Sequence, residues 1–325
     1  MYLIADIGGT NARFALVEEG VFVPKLERTL SCKNYRSLVD AVLAYLDDVS
    51  QRMPEMASLA IATPVSSDRI VMTNHTWDLS VEETRKVLGL NSLKVLNDYT
   101  ALALALPYLG TDEYHQVGQG VAVEQQTLAV LGPGTGLGVS GTVFAGDYWF
   151  PLQGEGGHVS YGPLNDRESD VLGIIGQHHN FISAESLVSG PGLVLLYESI
   201  AKCDGVKHEL LSPDQVTNKA LNRTDASAVE ALAMFCGILG AIAGNLALTL
   251  GARGGVFIGG GIIPRLGNYF ATSSFRTRFE NNSRFRQYLS EIPTYVISSK
   301  YPALIGAAVA VKKQYSYLGA TSVSH

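Results

Sequence analysis

The chain has 325 residues, of which 46% are hydrophobic and 17% are charged, and its formal net charge is −6. This composition is typical of a compact folded protein and excludes a disordered chain. The length predicts about two domains. The acidic balance argues against a general nucleic-acid binder, because the phosphate backbone demands basic surface. A small anionic ligand held by backbone N–H groups is still compatible with this charge.

The chain opens with a strand, a glycine turn and a second strand. An apolar run over residues 2–5 leads into residues 6–11, which we call the first glycine loop, and residues 13–17 again have strand character. Two adjacent glycines adopt backbone angles that other residues avoid, and they leave no side chain between the backbone and a ligand. N–H groups at such a turn suit phosphate, and the preceding Asp6 suits a magnesium ion. An ordinary hairpin explains the local pattern equally well.

The following segment alternates between helices and strands up to about residue 106. Apolar periodicity predicts helices over residues 35–49 and 99–106. Short apolar runs predict strands over residues 58–62 and 93–96. A capping box of Ser80 and Glu83 predicts a helix over residues 80–88. No low-complexity linker follows, and the best domain break lies around residues 106–113.

Two polar residues, Asn97 and Asp98, stand where the predicted strand over residues 93–96 ends and the next helix begins. Polar side chains at the carboxyl end of a buried strand occupy the usual ligand position of open α/β sheets. Asp98 is therefore the first candidate catalytic residue. A helix N-cap is the alternative role for this aspartate.

A second unit with the same order begins near residue 126. A strand over residues 128–131 leads into residues 132–138, the second glycine loop, and a further strand covers residues 139–143. The loop lacks the Lys-Ser or Lys-Thr ending of a P-loop and the third glycine of the dinucleotide fingerprint. Two similar units in one chain predict a duplicated architecture with a ligand between its halves.

Three further groups are candidates for ligand binding. Glu155 and His158 stand among glycines, so both can face one small polar ligand, although a lone histidine is more often structural. Glu185 lies at a predicted helix start, where the helix dipole also favours an acid. The glycines at positions 259–261 follow a short buried strand, and exposed backbone there suits a flat ligand such as adenine or ribose.

The C-terminal part carries a long apolar helix over residues 227–250, a strand over 256–258, a helix start at Pro264, a strand over 293–298 and a small-residue helix over 303–312. The continuous apolar run in the first of these, residues 231–244, is shorter than the roughly 20 residues that a spanning helix needs. We therefore predict a buried central helix and no membrane span.

The cysteines, Cys32, Cys203 and Cys236, lie far apart in the sequence. No pair has the spacing of a zinc site or a redox motif, which predicts free thiols in a reducing compartment. The N-terminus starts on a strand and has no signal-type segment. Together these features predict a cytoplasmic protein.

These motifs together resemble the bacterial glucokinases of the hexokinase–actin–chaperone ATPase superfamily, over nearly the whole chain. Each motif is weak alone, but their order and spacing are highly specific. The resemblance rests on residues 6–13, 72–77, 97–101, 132–138, 154–158, 189–193 and 254–261. The related repressor–kinase group shares the Glu-x-Gly-His element and carries clustered zinc cysteines after it. No cysteine lies between Cys32 and Cys203, so the chain resembles the non-zinc family and we predict no structural zinc.

The resemblance implies an α/β protein with a two-domain ribonuclease-H-like (actin-like ATPase) fold, in which mixed sheets flank an interdomain cleft. The small domain would comprise residues 1–108 and about 302–325, because the C-terminal helix returns to it. The large domain would comprise residues 109–301. The resemblance further implies ATP-dependent phosphorylation of glucose at its C6 hydroxyl, with Mg²⁺, no nucleic acid, no membrane and a homodimer.

The resemblance also implies a role for each candidate residue. The ATP phosphates would lie on both glycine loops, the adenosine on the last glycine group and the sugar on five polar residues. In the first glycine loop the residues concerned are Asp6, Ile7, Gly8, Gly9, Thr10 and Asn11, with Asp6 near magnesium. In the second they are Gly134, Thr135 and Gly136, with Thr135 near the γ-phosphate. The adenosine would lie by Gly259, Gly260 and Gly261, and the sugar ligands would be Asn97, Asp98, Glu155, His158 and Glu185.

Asp98 matches the catalytic base of the family. It would take the proton of the C6 hydroxyl as that oxygen attacks the γ-phosphorus in line. An aspartate with an ordinary pKa near ~3.9 is a weak base, which suffices if the proton leaves late in the reaction.

Three alternatives stay open on the residues alone. A sugar-responsive repressor would need a DNA-binding helical module, whereas this chain begins on a core strand at Tyr2. A chaperone or filament-type ATPase shares the glycine loops but lacks the five convergent sugar ligands. A kinase for mannose or fructose is the hardest to exclude, because one hydroxyl orientation separates these substrates from glucose.

Overall fold

The structure is a computed structural model that describes residues 1–72 and 77–312. Within these ranges the strands are β1 (Tyr2–Ile7), β2 (Asn11–Val17), β3 (Lys25–Ser31), β4 (Met56–Ile61), β5 (Arg69–Val71), β6 (Asp78–Ser80), β7 (Ser92–Asn97), β8 (Tyr114–Val117), β9 (Leu128–Pro133), β10 (Leu137–Ala145), β11 (Tyr148–Leu152), β12 (Gly255–Ile258) and β13 (Thr294–Ile297). Of the motif at residues 72–77, positions 73–76 lie outside the described residues.

The helices of the same ranges are α1 (Leu38–Asp48), α2 (Val81–Val87), α3 (Asp98–Ala105), α4 (Asp166–Gly176), α5 (Ala184–Leu187), α6 (Gly190–Cys203), α7 (Pro213–Leu221), α8 (Ala226–Leu250), α9 (Asn268–Thr272), α10 (Phe275–Phe279), α11 (Arg286–Ser290) and α12 (Pro302–Lys312). Short 3₁₀ helices cover Cys32–Asn34, Leu106–Tyr108, Gly156–His158 and Ile263–Leu266.

Two mixed sheets share one strand order. The first runs β3-β2-β1-β4-β7 and the second β11-β10-β9-β12-β13-β8, and β5 pairs with β6 alone. In each large sheet an antiparallel hairpin, β1–β2 or β9–β10, is extended by two parallel strands, β4 and β7 or β12 and β13. This equivalence confirms the duplicated architecture that the two glycine loops predicted.

The chain folds into two compact units. Unit 1 contains residues 1–110, β11 and the described residues from Ser299 onward, and unit 2 contains residues 111–147 and 153–298. We keep the domain boundaries given above, residues 1–108 with 302–325 and residues 109–301, as a prediction. The last residues of the predicted small domain, 313–325, lie outside the part of the chain that the structure describes.

The central strand of unit 1 buries both of its faces, because successive side chains of a strand point to opposite sides. Leu3 and Ile7 face the core that contains α1. Ile4 faces the opposite layer, where Leu304 and Ala308 of α12 pack. The small-residue helix at the C-terminal end of the described chain is therefore a core element of unit 1.

Unit 2 has α8 at its centre. The helix is long and apolar enough to cross a membrane by length and composition, with a mean hydropathy of 2.0, but 78% of that window is buried inside the protein. The apolar run over residues 231–244 predicts a helix that is too short for a membrane span. The whole of α8 is longer than that run, so its length does not exclude a span. The burial of residues such as Phe235, Ile238 and Leu239 identifies α8 as a core helix.

Side-chain caps determine where α1 and α3 begin. The helix predicted over residues 35–49 begins at Leu38, since the Ser37 side chain accepts a hydrogen bond from the Asp40 N–H. At α3 the N-cap is Asn97, so the alternative role of Asp98 as the cap is wrong. The elements without a counterpart among those predicted from sequence are β3, β5, β6, β8, β11, α4, α6, α7, α9, α10 and α11.

Candidate active site

The first glycine loop is the turn of the β1–β2 hairpin. The Gly8 N–H donates to the carbonyl of Asn11 at 2.9 Å and closes the turn. Cys32 also stabilises the turn, since its N–H donates to the Thr10 carbonyl at 2.9 Å and its thiol contacts the Gly8 carbonyl at 3.5 Å. The predicted strand, turn and strand are confirmed, and the carbonyls of Gly8, Thr10 and Asn11 accept hydrogen bonds from protein groups.

Asp6 forms an ion pair across the same hairpin. Asp6 and Arg13 are register partners in β1 and β2, and Arg13 Nη1 donates to Asp6 Oδ2 at 2.9 Å. Burial raises the pKa of Asp6, while the charge and hydrogen bond of Arg13 oppose that rise. The pairing follows from the hairpin register and could have been inferred from the two flanking strands.

The donor set at Asp6 fits a magnesium ion that arrives with a nucleotide. Arg13 occupies only Oδ2, so Oδ1 can serve as a ligand. Mg²⁺ is usually bound by one or two carboxylates together with waters and substrate phosphates. Groups of three or more His, Cys, Asp or Glu side chains that could hold a metal on their own do not occur within residues 1–72 and 77–312.

Asn97 and Asp98 stand at the end of β7, at the same sheet edge as the first glycine loop. Ile7, Ile61 and Asn97 are successive register partners across β1, β4 and β7. Asn97 Oδ1 accepts from the N–H groups of Tyr99 at 2.9 Å and Thr100 at 3.2 Å. Its amide oxygen therefore caps α3, and its amide nitrogen donates to the Thr63 carbonyl at 3.4 Å. An amide nitrogen carries two N–H groups, so one of them is what Asn97 can offer to a ligand.

Asp98 is a stronger base than the sequence suggested. Burial and the nearby charge of Asp6 raise its pKa to about 6, although a hydrogen bond from the Tyr99 N–H opposes the rise. The expectation of a pKa near ~3.9 is therefore wrong. A carboxylate of this kind is still mostly ionised at pH 7 and holds a proton more readily than an ordinary aspartate.

The second glycine loop is the turn of the β9–β10 hairpin. The Gly134 N–H donates to the Gly136 carbonyl, and the Gly190 N–H at the start of α6 donates to the Gly134 carbonyl, both at 2.8 Å. The glycines at 259–261 follow β12, which lies beside β9 in parallel, and the Gly259 N–H donates to the Leu131 carbonyl at 2.8 Å. Both glycine groups therefore stand at the carboxyl ends of neighbouring parallel strands, where α/β sheets bind ligands.

Glu155, His158 and Glu185 all lie beside the second glycine loop. His158 ends the 3₁₀ turn that Glu155 begins, and its N–H donates to the Glu155 carbonyl at 3.0 Å. Glu185 lies on α5, with Oε1 3.9 Å from His158 Nδ1 and Oε2 2.8 Å from the Leu137 nitrogen, which donates to it. The bond to Leu137 joins residues 48 positions apart, and no local sequence signal predicts it.

Each unit thus brings together a phosphate-type loop and polar side chains. Unit 1 gathers the first glycine loop, Asn97 and Asp98 at one sheet edge. Unit 2 gathers the second glycine loop, the glycines at 259–261 and the three side chains Glu155, His158 and Glu185. Amide, imidazole and carboxylate groups bind hydroxyls, and a base beside a phosphate loop suits phosphoryl transfer to a hydroxyl.

Comparisons with known proteins agree with this chemistry. Residues 3–314 match the family model described as Glucokinase. The glucokinase of Aromatoleum aromaticum is 47% identical over 310 residues, which cover 95% of this chain and 94% of that protein. The glucokinase of Neisseria gonorrhoeae is 48% identical over 309 residues, with the same coverage of 95% and 94%. The crystal structure of a glucokinase from an Antarctic psychrotroph has a TM-score of 0.88 at 35% identity and covers 95% of this chain and 98% of that chain.

Proposed function

Since the chain belongs to the glucokinase family and is a glucose kinase with the actin-like ATPase fold, we propose that it transfers the γ-phosphoryl group of ATP to the C6 hydroxyl of glucose. The observation that carries this proposal is Asp98. It stands at the carboxyl end of β7, on the same sheet edge as the first glycine loop, and its pKa is raised to about 6. A base next to a phosphate loop is what phosphoryl transfer to a hydroxyl requires.

Asp98 is the proposed general base. It takes the proton of the C6 hydroxyl while that oxygen forms a bond to the γ-phosphorus, and the bond from phosphorus to the β-phosphate oxygen breaks to release ADP. A positioned base of this kind contributes roughly 10²–10⁴-fold to the rate. The Tyr99 N–H donates to Asp98 Oδ1 at 2.9 Å, and this bond orients the carboxylate.

The sugar hydroxyls are proposed to bind Asn97, Asp98, Glu155, His158 and Glu185. Carboxylates accept hydroxyl protons, while an amide N–H group of Asn97 donates. A site built to hydrogen-bond a hydroxyl strongly rejects an analogue that lacks it, because buried polar groups are then left unpaired. This set therefore explains how an uncharged hexose is selected.

The phosphates are proposed to bind the N–H groups of both glycine loops, and Gly259, Gly260 and Gly261 are proposed to bind the adenosine. Asp6 would hold Mg²⁺, which supplies positive charge to the β- and γ-phosphates when it is bound. Arg13 pairs with Asp6 Oδ2 and keeps that carboxylate oriented. The N-terminus of α6, which bonds to the Gly134 carbonyl, adds the positive end of a helix dipole beside the second glycine loop.

We further propose that the enzyme works in the cytoplasm as a homodimer at the entry to glycolysis. Free thiols at Cys32, Cys203 and Cys236 support a reducing compartment. The dimer rests on the family resemblance alone, and the mass of the purified protein by light scattering tests it.

ADP release with a panel of hexoses and phosphoryl donors tests the proposed reaction. We expect glucose-dependent ADP release with ATP as donor and glucose 6-phosphate as the product identified by mass spectrometry. Mannose and fructose are the informative competitors, because they differ from glucose in the arrangement of hydroxyls. Faster turnover with either would change the substrate, and no release with any hexose would end the kinase proposal.

A further inference from the structure

Glu185 contacts the second glycine loop as well as the proposed sugar ligand His158. We propose that Glu185 is a positioning residue for this loop, so that its carboxylate sets the affinity for the nucleotide triphosphate before any sugar binds. The proposal rests on the function proposed above and goes beyond it, because a sugar ligand alone has no role in a sugar-free enzyme.

The two carboxylate oxygens of Glu185 have different partners. Oε2 accepts a hydrogen bond from the Leu137 N–H at 2.8 Å, and Leu137 is the first residue of β10, directly after the proposed phosphate contacts. Oε1 faces His158 Nδ1 at 3.9 Å. The Glu185 side chain is 33% exposed, so one oxygen holds the loop while the other is accessible to a ligand.

The Glu185 carboxylate packs directly against the backbone of the second glycine loop. A methyl group on Gly136 would overlap Glu185 Oε2, and the three heavy atoms nearest to it all belong to the Glu185 carboxylate. A methyl group on Gly157 would overlap the Leu137 carbonyl. The second glycine loop, the turn that ends at His158 and the Glu185 side chain therefore form one closely packed set.

Removal of the carboxylate leaves the Leu137 N–H without its acceptor. The loss of a hydrogen bond to a charged acceptor destabilises the folded loop, because the N–H group is then unsatisfied. The loop then relaxes toward another partner for Leu137, and its phosphate-binding N–H groups lose their preset geometry. The affinity falls because part of the binding free energy must reorder the loop.

The test measures nucleotide affinity without sugar, by calorimetry with Mg²⁺ and AMPPNP. We expect Glu185→Ala to weaken AMPPNP binding by about tenfold. Glu185→Gln keeps an oxygen acceptor for Leu137, and we expect it to retain affinity within about threefold. AMP lacks the β- and γ-phosphates, so its affinity should be unchanged in both variants. Glu198→Ala, at a half-buried glutamate further along α6, is the matched control.

A double-mutant cycle covers the case in which Glu185→Ala disturbs the fold. Gly136→Ala pushes the carboxylate away without deleting it, so it should weaken AMPPNP binding on its own. The same substitution should cost much less in a Glu185→Ala background, because the overlapping atoms are gone. Circular dichroism and thermal unfolding check that each variant is folded.

Full AMPPNP affinity of Glu185→Ala in the absence of glucose, with glucose affinity reduced, would overturn the proposal and leave Glu185 as a sugar ligand only. Equal losses in Glu185→Ala and Glu185→Gln would overturn it as well, since the glutamine retains the acceptor. The readout needs no sugar and no turnover. A failure of the glucose-kinase proposal, seen as no ADP release with any hexose, therefore remains a separate result.

Discussion

Gly306 of α12 lies directly against the backbone carbonyl of Ala101 in α3, with no room for a side chain between them. Because α3 begins at Asp98, the proposed base stands on a helix whose position depends on this close approach. Lys94 Nζ, in the strand that leads to Asp98, also donates to the Ala310 carbonyl of α12 at 2.8 Å. The last described helix of the chain thus supports the element that carries the proposed chemistry.

Gly306→Ala should destabilise the protein by about 1–3 kcal/mol, because an added methyl in a closely packed contact forces a backbone shift. Turnover should fall as well, since α3 moves with its first residue. Urea unfolding followed by circular dichroism measures the first effect. Gly173→Ala, on an exposed part of α4 with open space at the Cβ position, is the control and should be neutral or slightly stabilising. Equal stability of the two variants would contradict the role of the α3–α12 contact.

Asp98→Asn should reduce kcat at least ~100-fold, since general-base assistance is worth roughly 10²–10⁴-fold. The asparagine keeps the oxygen that accepts from the Tyr99 N–H, so we expect glucose affinity to stay within about tenfold. Steady-state kinetics and calorimetry with glucose measure the two effects. Near-normal turnover would remove Asp98 from the role of base.

The raised pKa of Asp98 predicts an acid limit to activity. The base must be ionised to accept a proton, so kcat/KM should fall as the pH drops through about 6. With an unperturbed aspartate the fall would lie near pH ~4. A pH profile from about 4.5 to about 8, with the stability of the enzyme checked at each pH, distinguishes the two. An acid limb of kcat/KM centred near ~4 would contradict a raised pKa of Asp98 in the free enzyme, since kcat/KM reports the groups of the free enzyme.

Asp98→Asn should also stabilise the fold at neutral pH. The folded pKa, about 6, lies above the ordinary value of 3.8, so ionised Asp98 costs up to about 3 kcal/mol above pH ~6. That cost disappears as the pH falls through about 6 toward about 4, and the gain in Tm of the variant should shrink accordingly. Asp204→Asn is a control with the opposite expected effect. Hydrogen bonds from Arg167 lower the pKa of Asp204, so removal of this charge should lower the Tm. A variant less stable than wild type at mildly alkaline pH would contradict the burial of a charge at Asp98.

His158→Ala should raise the KM for glucose far more than the KM for ATP. Its side chain is 60% exposed and its Nδ1 faces Glu185 Oε1, so little packing is lost and a structural effect should be small. The exposed His115 on β8 provides a matched control, and His115→Ala should leave both constants unchanged. Equal effects of His158→Ala on both substrates would identify a structural histidine instead.

The sequence alone predicts those parts of this fold that depend on local patterns. Glycine turns between apolar runs predicted both hairpins. Apolar periodicity predicted α1 and α8, because the burial of a helix face requires apolar residues at regular spacing. β3 was missed for the same reason. It is an edge strand with the sequence Lys-Leu-Glu-Arg-Thr-Leu-Ser, and its largely exposed residues carry no alternation of apolar and polar side chains.

The candidate site was predictable as a set of residues and much less as a set of contacts. The pKa of Asp98 depends on burial and then on the charge of Asp6, and the orientation of Glu185 depends on the Leu137 N–H. Both partners are distant in sequence, so only the folded chain brings them together. The N-cap of α3 shows the same limit for local sequence, because either Asn97 or Asp98 suits an N-cap. In the structure the N-cap is Asn97.

The place of α12 in unit 1 has a consequence for synthesis. Ile4, Ala15 and Val17 near the start of the chain are covered by Leu304, Ala307 and Val311 near its described end. Chains are made from the N-terminus and folded as units while they emerge. The N-terminal part of unit 1 therefore lacks one layer of its core until α12 has been made, whereas every residue of unit 2 precedes α12 and is already available. Unit 2 should complete its fold first, and unit 1 should complete its fold only once α12 has been made.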